Sequence, residues 1–391
     1  MNHDTQVCLI SAQAIPNLLP ALDELWRPRR VVLATTPDMA DRAGYLERIL
    51  GRRGIVTERL PIRDAYDYFE VYDTFFNFIE RETVEIALNV TGGTKIMAMA
   101  AQETFRDARK PVFYVNAETD EVLVLGDRAR SASLSVKIKL PDFLEAHGYT
   151  FANQARPAKP NITREQSDLT LRIVDGVEKF GPSLGELNHI AAQAKGSLIG
   201  KLDERQMDSI NLNEVIELFV ERGHVRRSGD TLRFVSEDAR SFVGGGWLEQ
   251  HAFKAMSDLA GTHYFADYGM NMKVLAPNGA TLNEIDCAFL HRNTLHLIEC
   301  KAANLANKGS TGDDKGTESI YKLETLLKLG GLRTRGMLID YRGRLSISDG
   351  KGDRNRVEAN LARAKATNIR IVSGCAIRTL KSEISQWIKS A

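Results

Sequence analysis

Asp286, Glu299 and Lys301 are the residues of this chain whose types and spacing best suit chemistry. They lie in Glu284-Ile-Asp286-Cys-Ala-Phe-Leu-His-Arg-Asn-Thr-Leu-His-Leu-Ile-Glu299-Cys-Lys301, which reads as two strands joined by a tight polar turn at His291–Asn293. Side chains alternate faces along a strand, so Glu299 and Lys301 point the same way, and Asp286 on the neighbouring strand can lie beside them. Two carboxylates offer the hard oxygen ligands that Mg²⁺ or Mn²⁺ takes. Such an ion acidifies a bound water and neutralises charge on a phosphate, while an ammonium orients the water or stabilises the pentavalent state. That is the chemistry of metal-assisted phosphodiester hydrolysis. The same residues also admit a plainer reading as solvated charges on a half-exposed hairpin. Against it, Glu299 and Lys301 continue a face begun by Leu295 and Leu297, and a carboxylate on a buried face is costly unless paired or on a metal.

A second acidic group belongs to an element upstream. Gly244-Gly-Gly-Trp-Leu-Glu-Gln250 breaks one segment and opens a helix at Trp247, with Leu248, Ala252, Ala255 and Leu259 on one face. Glu249 falls in the first turn, where the helix dipole favours a carboxylate, and dipole complementation alone would explain it. Taken together, Gly-Gly-Trp-Leu-Glu, Glu-Ile-Asp and Ile-Glu-Cys-Lys resemble the PD-(D/E)xK nuclease superfamily: a helix carboxylate, a strand Asp, then a strand Glu-x-Lys. Ile285 stands where that pattern has Pro, a position that varies widely in the superfamily. The resemblance implies Asp286, Glu299, Lys301 and Glu249 as catalytic residues. It also implies Mg²⁺ or Mn²⁺ held by Asp286, Glu299, the backbone carbonyl of Cys300, and Glu249.

Residues 1–150 alternate strand and helix patterns. Apolar runs at Val7–Ser11, Arg30–Thr35, Gly54–Leu60, Glu85–Val90, Pro111–Asn116 and Glu121–Leu125, the first five separated by helical patterns, predict a parallel sheet covered on both faces in a Rossmann-like doubly wound domain. Ligands of such sheets bind beyond the carboxyl ends of the strands. One of those ends is Asn89-Val-Thr-Gly-Gly-Thr-Lys-Ile-Met-Ala-Met-Ala100, a strand, a glycine turn, and a helix sending Ile96, Met97, Ala100 and Phe105 toward the sheet. Backbone amides of Gly92, Gly93 and Thr94 make a ready anion site, supplemented by Thr91 and Lys95, although a threonine-capped turn needs no ligand. The spacing fits neither a Walker loop nor Gly-x-Gly-x-x-Gly.

Thr91-Gly-Gly-Thr-Lys95, with Leu9-Ile-Ser-Ala-Gln13 after the first strand and Ala34-Thr-Thr-Pro37 after the second, resembles the CARF domain, the cyclic-oligoadenylate sensor of type III CRISPR systems. This implies an activator site at Ser11, Ala12, Gln13, Thr35, Thr91, Gly92, Gly93, Thr94 and Lys95.

Residues 151–240 read as a connector. A proline-bearing linker, Ala155–Asn161, leads to helical patterns at Thr163–Lys179, Leu184–Ala194 and Asn211–Glu221, and Gly223–Phe234 looks like a two-stranded hairpin. Helices with a basic hairpin resemble a winged helix, in which Arg226, Arg227 and Arg233 would contact DNA. A structural connector with a solvated hairpin is the preferred reading. Residues 241–391 form the nuclease domain, with a polar loop at Asn304–Gly316, a helix at Glu318–Leu329 and a strand at Arg335–Asp340. Lys322 on that helix could line a phosphate path; a solvated lysine is the simpler expectation.

Composition limits the choices. The 391 residues suffice for two or three domains, and 52 basic against 51 acidic residues, net +1, show no global attraction to polyanions. The four cysteines are scattered without zinc or disulfide spacing, and Cys8, Cys287 and Cys300 sit in apolar runs as core fillers. No signal pattern and no run of about 18 apolar residues occurs, so a cytoplasmic location without membrane contact is expected.

The whole arrangement resembles the CRISPR ancillary nucleases that join a single CARF domain to a C-terminal PD-(D/E)xK domain. It implies a homodimer whose two-fold pocket accepts cyclic tetra-adenylate and which then cleaves DNA and/or RNA. The rival is a CARF–winged-helix regulator that binds nucleic acid without cutting it; a dinucleotide enzyme is disfavoured by the missing glycine fingerprints.

Overall fold

The computed structural model describes residues 3–126, 131–152, 158–302, 315–343 and 351–390. The first sheet has the order β3-β2-β1-β4-β5-β6-β7, from β1 (Thr5–Leu9), β2 (Arg30–Thr35), β3 (Val56–Pro61), β4 (Ile86–Asn89), β5 (Val112–Asn116), β6 (Glu121–Val124) and β7 (Ser131–Ser133). Strands β1–β5 are parallel. Helices α1 (Ile15–Leu22), α2 (Ala40–Arg52) and α5 (Leu140–Ala146) cover the face of Cys8, Leu33 and Phe113; α3 (Tyr68–Arg81) and α4 (Lys95–Asp107) cover that of Val7, Val32 and Leu88. The expected parallel sheet therefore holds for five strands. β6 and β7 run antiparallel, because the short turn between β5 and β6 cannot make the crossover a parallel pair needs. Ile96, expected on the sheet side of α4, is only half-buried; Met97, Ala100, Ala101 and Phe105 make the contact.

Beyond β8 (Thr150–Phe151), the middle region runs α6 (Arg164–Asp175), α7 (Val177–Gln193), β9 (Ile199–Lys201), α8 (Glu204–Met207), α9 (Ile210–Glu221), β10 (Val225–Ser228) and β11 (Thr231–Phe234). From α7 onward this is helix, strand, two helices and a hairpin, closed by a sheet of order β10-β11-β9, the arrangement of a winged helix. The expected helix over Thr163–Lys179 divides at Gly176, and Leu184–Ala194 is the second half of α7 rather than a separate helix. The expected linker lies partly outside the described residues; Ala158 already bridges Met270.

In the C-terminal part, α10 (Glu237–Ser241) passes through a wide turn at Phe242–Gly246 into α11 (Trp247–Ser257). The three glycines thus bend a helical path, with Gly245 at φ 130°, instead of ending one segment outright. There follow β12 (Asp267–Leu275), β13 (Thr281–His291), β14 (Thr294–Lys301), α12 (Lys315–Leu327), β15 (Arg335–Asp340), α13 (Lys351–Ala366), β16 (Ile369–Ser373) and α14 (Leu380–Lys389). The sheet order is β16-β15-β14-β13-β12-β8, so a strand from the end of the sensor region forms its edge. The polar loop expected at Asn304–Gly316 lies almost wholly outside the described residues.

The regions share their cores. One apolar cluster runs from Cys8 and Phe113 of the first sheet to Leu295, Leu297 and Ile320 of the last, and another joins Leu187 and Phe219 of the middle region to Trp247, Ile298 and Tyr341. At the first seam Asn293, in the turn between β13 and β14, donates to the Asp120 carboxylate of the β5–β6 turn, and Arg333 pairs with Glu118. At the second the Tyr341 hydroxyl donates to the Ile173 carbonyl at 2.7 Å. Among the described residues, no helix is long and apolar enough to cross a membrane.

Candidate active site and activator pocket

The β13–β14 hairpin forms as its sequence implies. Arg292 and Asn293 occupy the turn at φ 46° and 52°, the paired positive φ of a two-residue hairpin that matches strand twist. Antiparallel register from His291↔Thr294 to Cys287↔Ile298 carries Asp286 opposite Glu299. One face, Leu295 and Leu297, packs on the sensor side; the other, Ile298 and Cys300, packs under α11. There the Cys287 thiol donates to the Glu249 carbonyl at 3.7 Å and the Cys300 thiol to the Leu248 carbonyl at 3.9 Å. Burial pushes both thiols well up, so they remain protonated packing groups that seat the helix start on the strands.

Glu299 is 1% exposed, and its Oε1 accepts from Lys301 Nζ and from Lys322 Nζ, each at 2.6 Å. Lys322 is therefore not a solvated helix lysine but the second cation on the buried carboxylate. In the sequence it adjoins Ile320 and Leu323, the buried face of α12, which was the available clue. Asp286 Oδ2 accepts the Cys300 N–H at 2.7 Å. Burial, then the charges of Glu299 and Glu249, push the Asp286 carboxyl up to about 7 against the pull of Lys301. Glu249 is also raised, first by burial, with Glu284 and Glu299 adding repulsion that Lys301 and Lys322 oppose. Burial alone would lower Lys301, but Glu299 and Asp286 outweigh it and hold the ammonium above its ordinary value.

These residues fit a hard divalent ion in part. Among the described residues, no hydrogen bond reaches Asp286 Oδ1 or Glu299 Oε2, and the crowded carboxylates resist simultaneous ionisation until a cation joins them. Among the described residues, however, no group of three or more His, Cys, Asp or Glu side chains is close enough to hold a metal. Asp286, Glu299 and Glu249 thus do not form a ready-made three-carboxylate cluster; Glu249 sits at the start of a helix above the sheet and acts on the strand pair through its charge. Asp286, Glu299 and the Cys300 carbonyl remain as candidate ligands.

At the carboxyl ends of the first sheet a pocket of about 480 Å³ brings together Ser11, Ala12, Gly93 and Thr94 with Thr36, Asp38, Arg63 and Tyr66. Thr36 belongs to the Ala34–Pro37 loop already singled out, but Asp38, Arg63 and Tyr66 were not anticipated; Arg63 and Tyr66 lie past β3, where the sequence shows no glycine turn to mark a site. Other expected activator residues serve the frame. Thr91 Oγ1 donates to Asn89 Oδ1 at 2.7 Å and accepts the Val115 N–H at 2.8 Å. Thr35 is buried and bonds the Leu33 carbonyl. Gly92 is required where the turn crosses β1, because a Cβ would lie 2.0 Å from the Leu9 carbonyl oxygen. Gln13 faces the C-terminal part, 3.4 Å from where a Cβ on Gly331 would be. Thr94 caps α4 by accepting the Met97 N–H, and Lys95 projects exposed from its first position, outside the pocket wall.

A doubly wound sheet joined to a second sheet with two acidic strands and an acidic helix is the arrangement expected of a CARF domain fused to an endonuclease domain. Residues 5–143 match the family model for the Card1 CARF domain, and residues 236–391 match that for the Card1-like endonuclease domain. The chain therefore carries a Card1 CARF domain fused to a Card1-like endonuclease domain. The Vibrio cholerae protein VC1899 shares the whole architecture, with TM-score 0.85, 23% identity and coverage of 99% of this chain and 98% of that one. The structure of Can2 from Sulfobacillus thermosulfidooxidans in complex with cyclic tetra-adenylate has TM-score 0.78 and 24% identity over 99% and 97% of the two chains. A type III CRISPR defence DNA nuclease activated by cyclic oligoadenylate matches with TM-score 0.53 and 20% identity over 87% of this chain and 45% of that one. At these identities the structural likenesses establish the fold. No curated protein matches the chain.

Proposed function

We propose that this protein is a cyclic-oligoadenylate-activated, metal-dependent endonuclease of type III CRISPR defence, cutting DNA and/or RNA, with cyclic tetra-adenylate as its activator. The observation that carries the reading is Glu299, a fully buried carboxylate held by two lysines beside Asp286, with one oxygen of each acid taking no hydrogen bond from the described residues. Without such a role the buried cluster is a cost with no return in stability. Asp286, Glu299 and the Cys300 carbonyl would hold Mg²⁺ or Mn²⁺, and the bound ion would supply Lewis acidity to the phosphodiester and its attacking water. Lys301 keeps its proton, so it serves as a donor to the water or to charge developing on the pentavalent phosphate, not as a base. Glu249 adds negative potential at the start of α11.

For the sensor, the pocket at the strand ends and the exposed Lys95 suit a polyanionic ring. The Can2 complex with cyclic tetra-adenylate supports that ring size, and a four-fold repetitive ring matches a homodimer's two-fold axis. Plasmid DNA and single-stranded RNA incubated with the protein, with and without Mn²⁺ and cyclic tetra-adenylate, test the proposal. Cleavage should require both additions and vanish in Glu299→Ala; intact substrates under every condition would overturn it.

A further inference from the structure

The catalytic end of β14 opens into a cavity of about 770 Å³ whose far wall comes from the middle region. On one side lie Glu249, Lys301 and the Gly244–Gly245 bend; on the other lie His189 of α7 and Arg205 of α8, with Arg342, just past β15, between them. Gly185 marks how closely α7 passes this point, since a Cβ there would be 2.6 Å from Arg342 Nη1. Arg205 is 79% exposed, and among the described residues it pairs with Glu186 of the same wall at 3.4 Å. That weak contact keeps the guanidinium at the cavity mouth without neutralising it deeply.

We propose that α7 and α8 form a phosphate-binding wall of the catalytic groove, in which Arg205, His189 and Arg342 hold the nucleic-acid backbone flanking the scissile phosphate. The proposal rests on the nuclease reading and assigns its substrate contacts. A strand cut at Lys301 must run on past it, and this cavity is continuous with that residue. Guanidinium forks and an imidazole N–H are the groups that bind phosphodiester oxygens without reading sequence. A winged helix ordinarily offers its last helix and wing to nucleic acid. Here Arg226 and Arg233 face each other across β10–β11 on the exposed side, and neither lines the cavity. The middle region thus meets substrate through α7 and α8.

The test uses the full chain with cyclic tetra-adenylate, in EDTA so that binding is read without cleavage. The probes are a short fluorescein-labelled single-stranded DNA and an RNA of the same sequence, titrated at several salt concentrations by anisotropy. Arg205→Gln should bind about tenfold more weakly, with the slope of log K against log salt reduced by about 1. In Mn²⁺ it should raise KM while leaving kcat near wild type. Gly185→Ala, which displaces the flexible Arg342 tip, should act in the same direction, and Glu186→Gln should bind more tightly than wild type. The double variant Arg226→Gln/Arg233→Gln should keep the wild-type slope. An unchanged slope and KM in Arg205→Gln, or loss in the wing variant instead, would overturn the wall while leaving the nuclease intact. A wild-type protein that cleaves neither probe would instead undo the nuclease reading itself.

Discussion

Lys322→Ala separates a pairing role from a catalytic one. In the metal-free protein the change removes one of two ammonium groups from Glu299 Oε1, while Lys301 stays on the same oxygen. A hydrogen bond to a charged group contributes about 1.5–3 kcal/mol. The Lys322 side chain is 28% exposed, so solvent screening reduces this to about 1–2 kcal/mol. With a divalent ion the sign reverses. Lys322 and the ion would share one carboxylate, and an ammonium about 4 Å from a divalent ion is repelled by about 8 kcal/mol near a protein surface, much less after the ammonium swings toward water. A net gain of about 1.4 kcal/mol, tenfold in Kd, is expected for Mn²⁺. The assay pairs thermal unfolding in EDTA with calorimetric Mn²⁺ titration: the variant should melt earlier without metal and bind Mn²⁺ more tightly. Unchanged melting in EDTA together with weaker Mn²⁺ binding would refute this account of the carboxylate.

Asp286→Ala and Glu299→Ala should each abolish cleavage with activator affinity intact by calorimetry; near-wild-type activity in both would displace the site. Lys301→Ala should retain Mn²⁺ binding yet lose about 10²–10³ in rate, checked by single-turnover cleavage. Lys95→Glu places an anion at the start of α4 and should weaken cyclic tetra-adenylate binding and stimulated cleavage together; equal affinity would move the activator elsewhere. Burial lowers His147 to about 4 and His296 to about 3, against 6.5 for the free side chain. Their unfolded forms take protons that the fold refuses, so stability should be lost as pH falls below 6.5, by up to about 1.4 kcal/mol per unit per histidine. Melting temperatures from pH 7.5 to 4.5 would show this, and Tm independent of pH would contradict it.

The hairpin from Glu284 to Lys301 was legible because alternation, a polar turn and buried leucines all agree in one short segment. The first four strands of the N-terminal sheet were legible because each is a run closed by a helix pattern, whereas β7, three small residues, carries no such signal. What escaped depends on partners far away in sequence. β8 has two residues and exists only because β12 offers an edge. Lys322 looks like any helix lysine until α12 packs beside β14. Arg63 and Tyr66 enter the pocket through the course of a loop, which periodicity does not encode, and the Thr91 hydroxyl also ties β4 to β5, a role that shows only once the strands pair. Glu249 falls in the first turn of α11 as expected, and its coupling to Asp286 and Glu299 comes from the packing of that helix on the strands, which is a tertiary quantity.

The seam between the first and last sheets bears on how such proteins diversify. Fusions assembled from separable modules can exchange a sensor by recombination at a linker. Here the edge strand of one sheet is supplied from beyond the other, a single apolar core runs through both, and the turn of the acidic hairpin is clasped by Asp120. A cut near residue 150 would strip that edge and bare leucines on both pieces. Inheritance of a new sensor specificity is thereby channelled into substitutions within pocket loops such as the one carrying Arg63 and Tyr66, with the two halves passed on as a unit.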